Sequence, residues 1–160
     1  MSDEVDALIE AWRAQRGDLE LEPMHIWSRI DRLGRLLADR RKAAFQSHGI
    51  EGWEFDVLAA LRRAGEPHTL TPGQLLKETF VTSGTMTNRV DRLAARGLVT
   101  RTTDPKDRRA VLVAITPAGL ALVDAALESL VTVERELLAG LGDDDTARLT
   151  DDLRRLLQQG

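Results

Sequence analysis

Apolar residues recur every three or four positions along most of the chain, a spacing that predicts amphipathic helices. The pattern predicts helices over residues 4–16, 24–48, 53–64, 71–80, 83–96 and 117–139, and a last helix that begins at residue 143. Gly17, Gly49 and Gly97 follow three of these segments and are expected to end them, because glycine is favoured just beyond helix C-termini. Two runs rich in β-branched residues, 98–103 and 110–115, flank a proline-containing loop and predict a β-hairpin.

The order of these elements predicts a mainly α fold with one small β-hairpin, a winged helix-turn-helix. Helices 71–80 and 83–96, joined by a tight turn, precede the hairpin, so residues 50–116 are assigned to a DNA-binding unit. Residues 1–48 and 117–160 carry more apolar surface than that unit can cover. We therefore assign dimerisation helices to both segments, within one intertwined domain. The alternative is a monomeric helical core.

Helix 83–96 has two contrasting faces. Met86 and Val90 share the apolar side and are expected in the core, whereas Asn88 and Arg92 lie on the opposite side. Hydroxyl, amide and guanidinium groups are the side chains that pair with base edges and phosphates. The residues predicted to contact DNA from this helix are Ser83, Thr85, Thr87, Asn88 and Arg92. The alternative is an exposed helix face with no partner.

Charge is distributed unevenly along a chain whose formal net charge is −4. Residues 1–24 hold seven acids and two arginines, a net charge of −5, whereas residues 81–113 hold seven basic residues and three acids, a net charge of +4. Because the local charge sets the field that a phosphate backbone meets, the basic segment favours DNA binding despite the acidic total.

Composition excludes several other classes of function. The chain has no cysteine, which rules out disulfides, thiolate metal sites and thiol-based sensing. The absence of a long apolar run and the acidic N-terminus predict a cytoplasmic protein with no membrane association. Three histidines on separate segments and the lack of a glycine-rich phosphate loop predict no catalytic residues, no cofactor and no metal site. A metal-sensing regulator remains an alternative.

The predicted hairpin loop carries a specific motif. Asp107 and Arg109 are two positions apart and share a strand face, so the acid can hold the guanidinium extended for entry into a minor groove. Lys106 and Arg108 are expected to contact phosphates. The segment DPKDRRAVLVAITPAG (104–119) resembles the wing signature of the MarR family of bacterial transcription regulators, whose Asp-x-Arg-x-x-x-Val core it matches. The resemblance implies a winged-helix homodimer that binds a near-palindromic double-stranded DNA operator. A repressor is expected, and an activator is the alternative.

Four further residues are similar to the urate-responsive branch of that family, which has an extra N-terminal helix. The resemblance implies that Trp12, Asp56, Arg89 and Arg101 contact a small anionic effector. An indole can stack on a planar heterocycle, guanidinium groups can pair with its oxygens, and a carboxylate can accept a ring N–H. Each residue also has a purely structural or DNA-contacting alternative. A different anion such as a tricarboxylate, a metal ion, or a module that contacts only proteins are the remaining functional alternatives.

Overall fold

The structure, a computed structural model, describes residues 2–79, 81–103 and 111–159. The helices are α1 (Glu4–Gln15), α2 (Glu22–Gln46), α3 (Gly52–Arg63), α4 (Pro72–Thr79), α5 (Ser83–Ala95), α6 (Pro117–Leu137) and α7 (Asp143–Leu157), and the strands are β1 (Thr69–Leu70), β2 (Val99–Thr103) and β3 (Val111–Ile115). The predicted helices and the two strands of the hairpin are confirmed, and the predicted fold class with them. Among the described helices, none has the long uncharged stretch that a bilayer crossing requires.

The chain divides into two compact units, Met1–Arg41 and Lys42–Gly160, with the boundary inside α2. In the first unit, α1 packs on the start of α2 through a small apolar cluster. Val5 and Ile9 are each only 1% exposed, and Leu21 is buried with them. The helical spacing of Val5 and Ile9 therefore marks the face of α1 that this unit buries.

An ion-pair cluster also holds the two helices of the first unit together. Arg29 of α2 places Nε 2.8 Å from an oxygen of Asp3 and Nη2 2.7 Å from an oxygen of Asp6. The backbone N–H of Asp3, and then the Arg29 guanidinium, lower the pKa of Asp6 to about 2. Arg29 is also the main reason that the pKa of Asp3 is lowered. The lowered pKa values show that both carboxylates are favoured in their ionised form beside Arg29, so the ion pairs add to the apolar contact between α1 and α2.

The core of the second unit lies between α3, the helix pair α4–α5, the sheet and the first half of α6. Its centre is formed by Val57, Leu58 and Leu61 of α3, which have no exposed surface. The buried side chains around it include Leu75, Met86, Val90, Leu93, Val99, Val113, Val123 and Ala126. Because α5 contributes one whole apolar face to this core, its opposite face has to lie on the surface.

Local capping sets the ends of the two helices of the helix-turn-helix. Thr71 and Gln74 form a capping box at α4, in which the Gln74 N–H lies 3.2 Å from Thr71 Oγ1 and the Thr71 N–H lies 2.8 Å from Gln74 Oε1. Gly97 ends α5 with φ +69°, a conformation that glycine adopts without strain. The N-cap of α5 is Thr82, and Ser83 is its first helical residue.

The sheet is antiparallel with strand order β1-β3-β2, and β1 was not predicted. Helix α6 begins directly against it: Thr116 Oγ1 accepts a hydrogen bond from the Gly119 N–H at 3.1 Å and donates one to the Gly97 carbonyl at 2.8 Å. A Cβ at Gly119 would lie 2.3 Å from the Leu98 carbonyl oxygen and 2.7 Å from Ile115 Cγ1. Only glycine fits this approach, which fixes α6 against the base of the hairpin.

Candidate nucleic-acid interface

Helix α5 has the two faces that the sequence predicts. Met86, Val90 and Leu93 are at most 1% exposed and face the core. Asn88 and Arg92 are exposed on the surface, as are the other predicted DNA contacts of this helix, Ser83, Thr85 and Thr87. The helix therefore presents a continuous polar face to solvent, at the position that a recognition helix occupies.

Two of the hydroxyl groups on this face already have partners in the chain. Thr87 Oγ1 donates to the Ser83 carbonyl at 3.2 Å, and Thr85 Oγ1 lies 2.9 Å from Thr82 Oγ1. A hydroxyl can donate one bond and still accept another, so both remain able to bind phosphate or base edges.

Arg92 is supported by an aromatic ring that the sequence analysis did not single out. Its Cζ lies 4.6 Å from the centroid of Trp53 at the start of α3, and the Cζ of Arg89 lies 5.5 Å from the same centroid. Glu51 accepts a hydrogen bond from Trp53 Nε1 and approaches Arg92 Nη2 at 3.8 Å. The only sequence signal was a tryptophan two positions after a glutamate at a helix start, which is too common to indicate a site.

Arg96, at the end of α5, contacts α3 through a buried carboxylate. Arg96 Nη1 lies 2.5 Å from a carboxylate oxygen of Glu54, which is only 4% exposed, and Arg96 Nη2 donates to the Gly49 carbonyl at 3.0 Å. Glu54 also accepts the N–H of Glu51 at 2.9 Å. This pair, in which the carboxylate is buried and the guanidinium is exposed, connects the C-terminal end of the recognition helix to the start of α3.

The hairpin leads to the predicted wing. Strands β2 and β3 pair antiparallel from Val99 opposite Ile115 to Thr103 opposite Val111. The wing residues predicted to act on DNA, Lys106, Asp107, Arg108 and Arg109, lie outside the described residues. Their assignment stays a prediction, and the antiparallel pairing of β2 with β3 agrees with it.

The four residues predicted to hold an effector have different neighbours in the structure. Arg101 of β2 pairs with Asp91 of α5 at 2.5 Å. Arg101 also lines an open cleft of about 380 Å³, whose other lining residues are Pro72, Thr87, Thr102, Thr103 and Val111. Arg89 lies over Trp53, and Asp56 is exposed on α3. Trp12 belongs to the first unit, where its side chain is 48% exposed.

The histidines do not form a metal site within the described residues, where no group of three or more metal-binding side chains converges. His48 Nε2 lies 2.8 Å from Ser129 Oγ, and His25 Nδ1 lies 3.8 Å from a carboxylate oxygen of Asp6. His68 is buried beside the sheet, and its Nδ1 has no hydrogen-bond partner among the residues that the structure describes. His25 lies in α2, His48 follows the end of α2, and His68 directly precedes β1.

A capped helix, a turn, a second helix with one polar face and a following hairpin define a winged helix-turn-helix protein. The family model described as MarR family matches residues 48–110. The chain is 32% identical over 146 residues to the HTH-type transcriptional regulator PecS of Dickeya dadantii, covering 91% of this chain and 88% of the relative. The chain belongs to the MarR family of transcription regulators, which are not enzymes.

Solved structures agree in fold. A mutant MarR from E. coli complexed with operator DNA is 28% identical, with a TM-score of 0.71, covering 86% of this chain and 96% of that chain. BpsR of Bordetella bronchiseptica, whose DNA binding is regulated by 6-hydroxynicotinic acid, is 30% identical, with a TM-score of 0.62, covering 79% of this chain and 91% of that chain.

Proposed function

We propose that this protein is a ligand-responsive repressor that binds a near-palindromic operator as a homodimer. The observation that carries the proposal is the exposed polar face of α5, with Asn88 and Arg92 on the surface and Met86 and Val90 in the core. In a two-fold dimer, two such helices would enter major-groove half-sites about 34 Å apart, one turn of the duplex.

The apolar surface of the terminal helices supports the dimer. None of the residues of α7, all of which are described, is buried, although the helix carries a leucine stripe. Leu149 and Leu153 are about two-fifths exposed and Leu157 is 83% exposed. In the first unit, Trp27 and Leu33 of α2 are more than half exposed. A second copy that packs against these faces would remove them from water.

The test of operator binding is its dependence on salt. We expect the duplex from upstream of the protein's own coding sequence to bind with an affinity that falls by roughly 10³-fold or more between 50 and 200 mM salt, because bound phosphates release counterions. Fluorescence anisotropy gives the affinity, and sedimentation at the same concentrations gives the stoichiometry. Weak, salt-insensitive binding to every duplex, or one monomer per site, would reject the proposal.

We further propose that the effector is a small planar anion such as urate, held by Asp56, Arg89 and Arg101 of the second unit. Arg101 lines the open cleft while it pairs with Asp91, and this position supports an anion-binding role, since an anion could replace the carboxylate as partner of the guanidinium. The regulation of BpsR by 6-hydroxynicotinic acid provides a related precedent: that effector too is a planar heterocyclic acid. An effector that favours a DNA-incompetent arrangement shifts the population of the dimer away from the operator.

Titration of the operator complex with urate tests this part of the proposal. A coupling of roughly 1–3 kcal/mol predicts that saturating urate weakens DNA binding between about fivefold and 150-fold. We expect Asp56→Asn to reduce the response while leaving DNA affinity without urate within about twofold of wild type. Citrate and a divalent metal ion serve as parallel probes. If saturating urate leaves the operator bound, urate is rejected as the effector, and release by one of the other probes would assign the response to it.

A further inference from the structure

Three arginines on the side of α5 that faces α3 all contact the start of α3. Arg89, Arg92 and Arg96 follow the i, i+3, i+7 spacing of one helix face. The first two lie over Trp53, and the third pairs with Glu54. The recognition helix therefore meets α3 through guanidinium groups along its length, and only the last of them reaches a buried acid.

Arg92 is the most exposed of the three arginines. Two groups define the position of its guanidinium. The indole of Trp53 offers a negative ring face at 4.6 Å, and tryptophan is the best aromatic partner for a cation. Glu51 attracts the same guanidinium at 3.8 Å while it accepts the indole N–H. The Glu51 carboxylate thus fixes the orientation of the indole ring, and its negative charge adds to the ring's attraction for the Arg92 guanidinium.

We propose that Trp53 is a positioning residue for DNA binding, which acts by holding Arg92 ready for a phosphate at the edge of the operator contact. This inference rests on the proposed function. An exposed arginine side chain samples many rotamers, and DNA has to immobilise it when it binds. A guanidinium that already lies on a fixed ring has lost much of that freedom, so its phosphate contact costs less entropy. Trp53 itself need not touch DNA for this effect.

A double-mutant cycle on operator binding tests the role of Trp53. We expect Trp53→Leu to weaken operator binding by about two- to fivefold, the range that an exposed cation–π contact supports. In an Arg92→Ala background, Trp53→Leu should change the affinity by less than about 1.5-fold, because the group that it positions is gone. Equal losses in the two backgrounds would show that Trp53 acts only through the fold and would overturn the inference.

Two further measurements separate positioning from charge and from folding. Trp53→Leu keeps every cation, so the slope of log affinity against log salt should match wild type, whereas Arg92→Ala should lower it by about one. Trp53→Phe keeps a ring and should recover most of the lost affinity. If Trp53→Leu does not fold, the cycle is run with Trp53→Phe, whose smaller loss should again vanish without Arg92, and a loss that persists there would contradict the inference.

The control for the cycle is Arg63→Ala, which removes an exposed arginine that pairs with Glu78 at 3.2 Å on a different part of the second unit. Trp53→Leu should cost the same in this background as in wild type. Failure of the proposed function is distinguishable, because it would appear as shallow, salt-insensitive binding of the wild-type protein itself. Steep wild-type binding with an additive cycle would reject only the role of Trp53.

Discussion

Replacement of Gly119 by alanine is expected to lower the free energy of unfolding by about 3 kcal/mol, at the upper end of the usual cost of overpacking. The added Cβ would lie 2.3 Å from the Leu98 carbonyl oxygen and 2.7 Å from Ile115 Cγ1. The first of these atoms belongs to the backbone beside β2 and the second to a buried side chain of β3. The overlap with the backbone atom can be relieved only if α6 shifts away from the hairpin.

Gly34→Ala is the matched control for this substitution. Gly34 also lies within a helix, but a Cβ built there has no neighbour within 4 Å. Alanine is therefore expected to stabilise the protein by about 0.5–1 kcal/mol, the ordinary gain over glycine in a helix. Urea denaturation followed by circular dichroism, at one protein concentration, measures both variants. A Gly119→Ala protein as stable as wild type would contradict the close approach of α6.

Replacement of Asn88 by alanine is expected to weaken operator binding by about 1–3 kcal/mol, or roughly five- to 150-fold, because an amide contact to a base edge would be lost. The neighbouring Arg92→Ala should behave differently. Since Arg92 is expected to contact a phosphate, its removal should weaken binding to every duplex by a similar factor and lower the salt slope by about one. Asn88→Ala removes no charge and should leave that slope unchanged.

Anisotropy titrations at several salt concentrations, on the operator and on a scrambled duplex, distinguish the two effects. The proposed base contact of Asn88 predicts a loss that is confined to the operator. An equal loss on both duplexes would place Asn88 at the backbone instead. Circular dichroism spectra of the two variants should match wild type, because both side chains are exposed and neither belongs to the core.

The sequence predicts the helices of this fold well because their signals are local. Thr71 and Gln74 mark the start of α4 within four residues, and the stripe of Met86, Val90 and Leu93 identifies the buried face of α5 without reference to any other element. Strand β1 was missed because its two residues have no pattern of their own. It exists only through its pairing with β3, more than 40 residues later.

The contacts that support the candidate interface were missed for the same physical reason. Glu54 and Arg96 are 42 positions apart, and neither residue type in its own segment indicates burial or a partner. Arg92 was correctly predicted to be exposed, but its placement over Trp53 depends on how α3 packs beside α5. The sequence could thus name the polar face of the recognition helix, while the residues that orient it became apparent only in three dimensions.

The indole of Trp53 lies beside two guanidinium groups with different proposed partners, an anionic metabolite for Arg89 and the nucleic-acid backbone for Arg92. If both proposals hold, the shared ring would make the two binding events depend on each other. Thermodynamic linkage requires the dependence to be reciprocal: whatever factor the metabolite takes from the affinity for DNA, bound DNA takes from the affinity for the metabolite. Promoter-bound copies of this protein would therefore respond only at higher metabolite concentrations than free copies do.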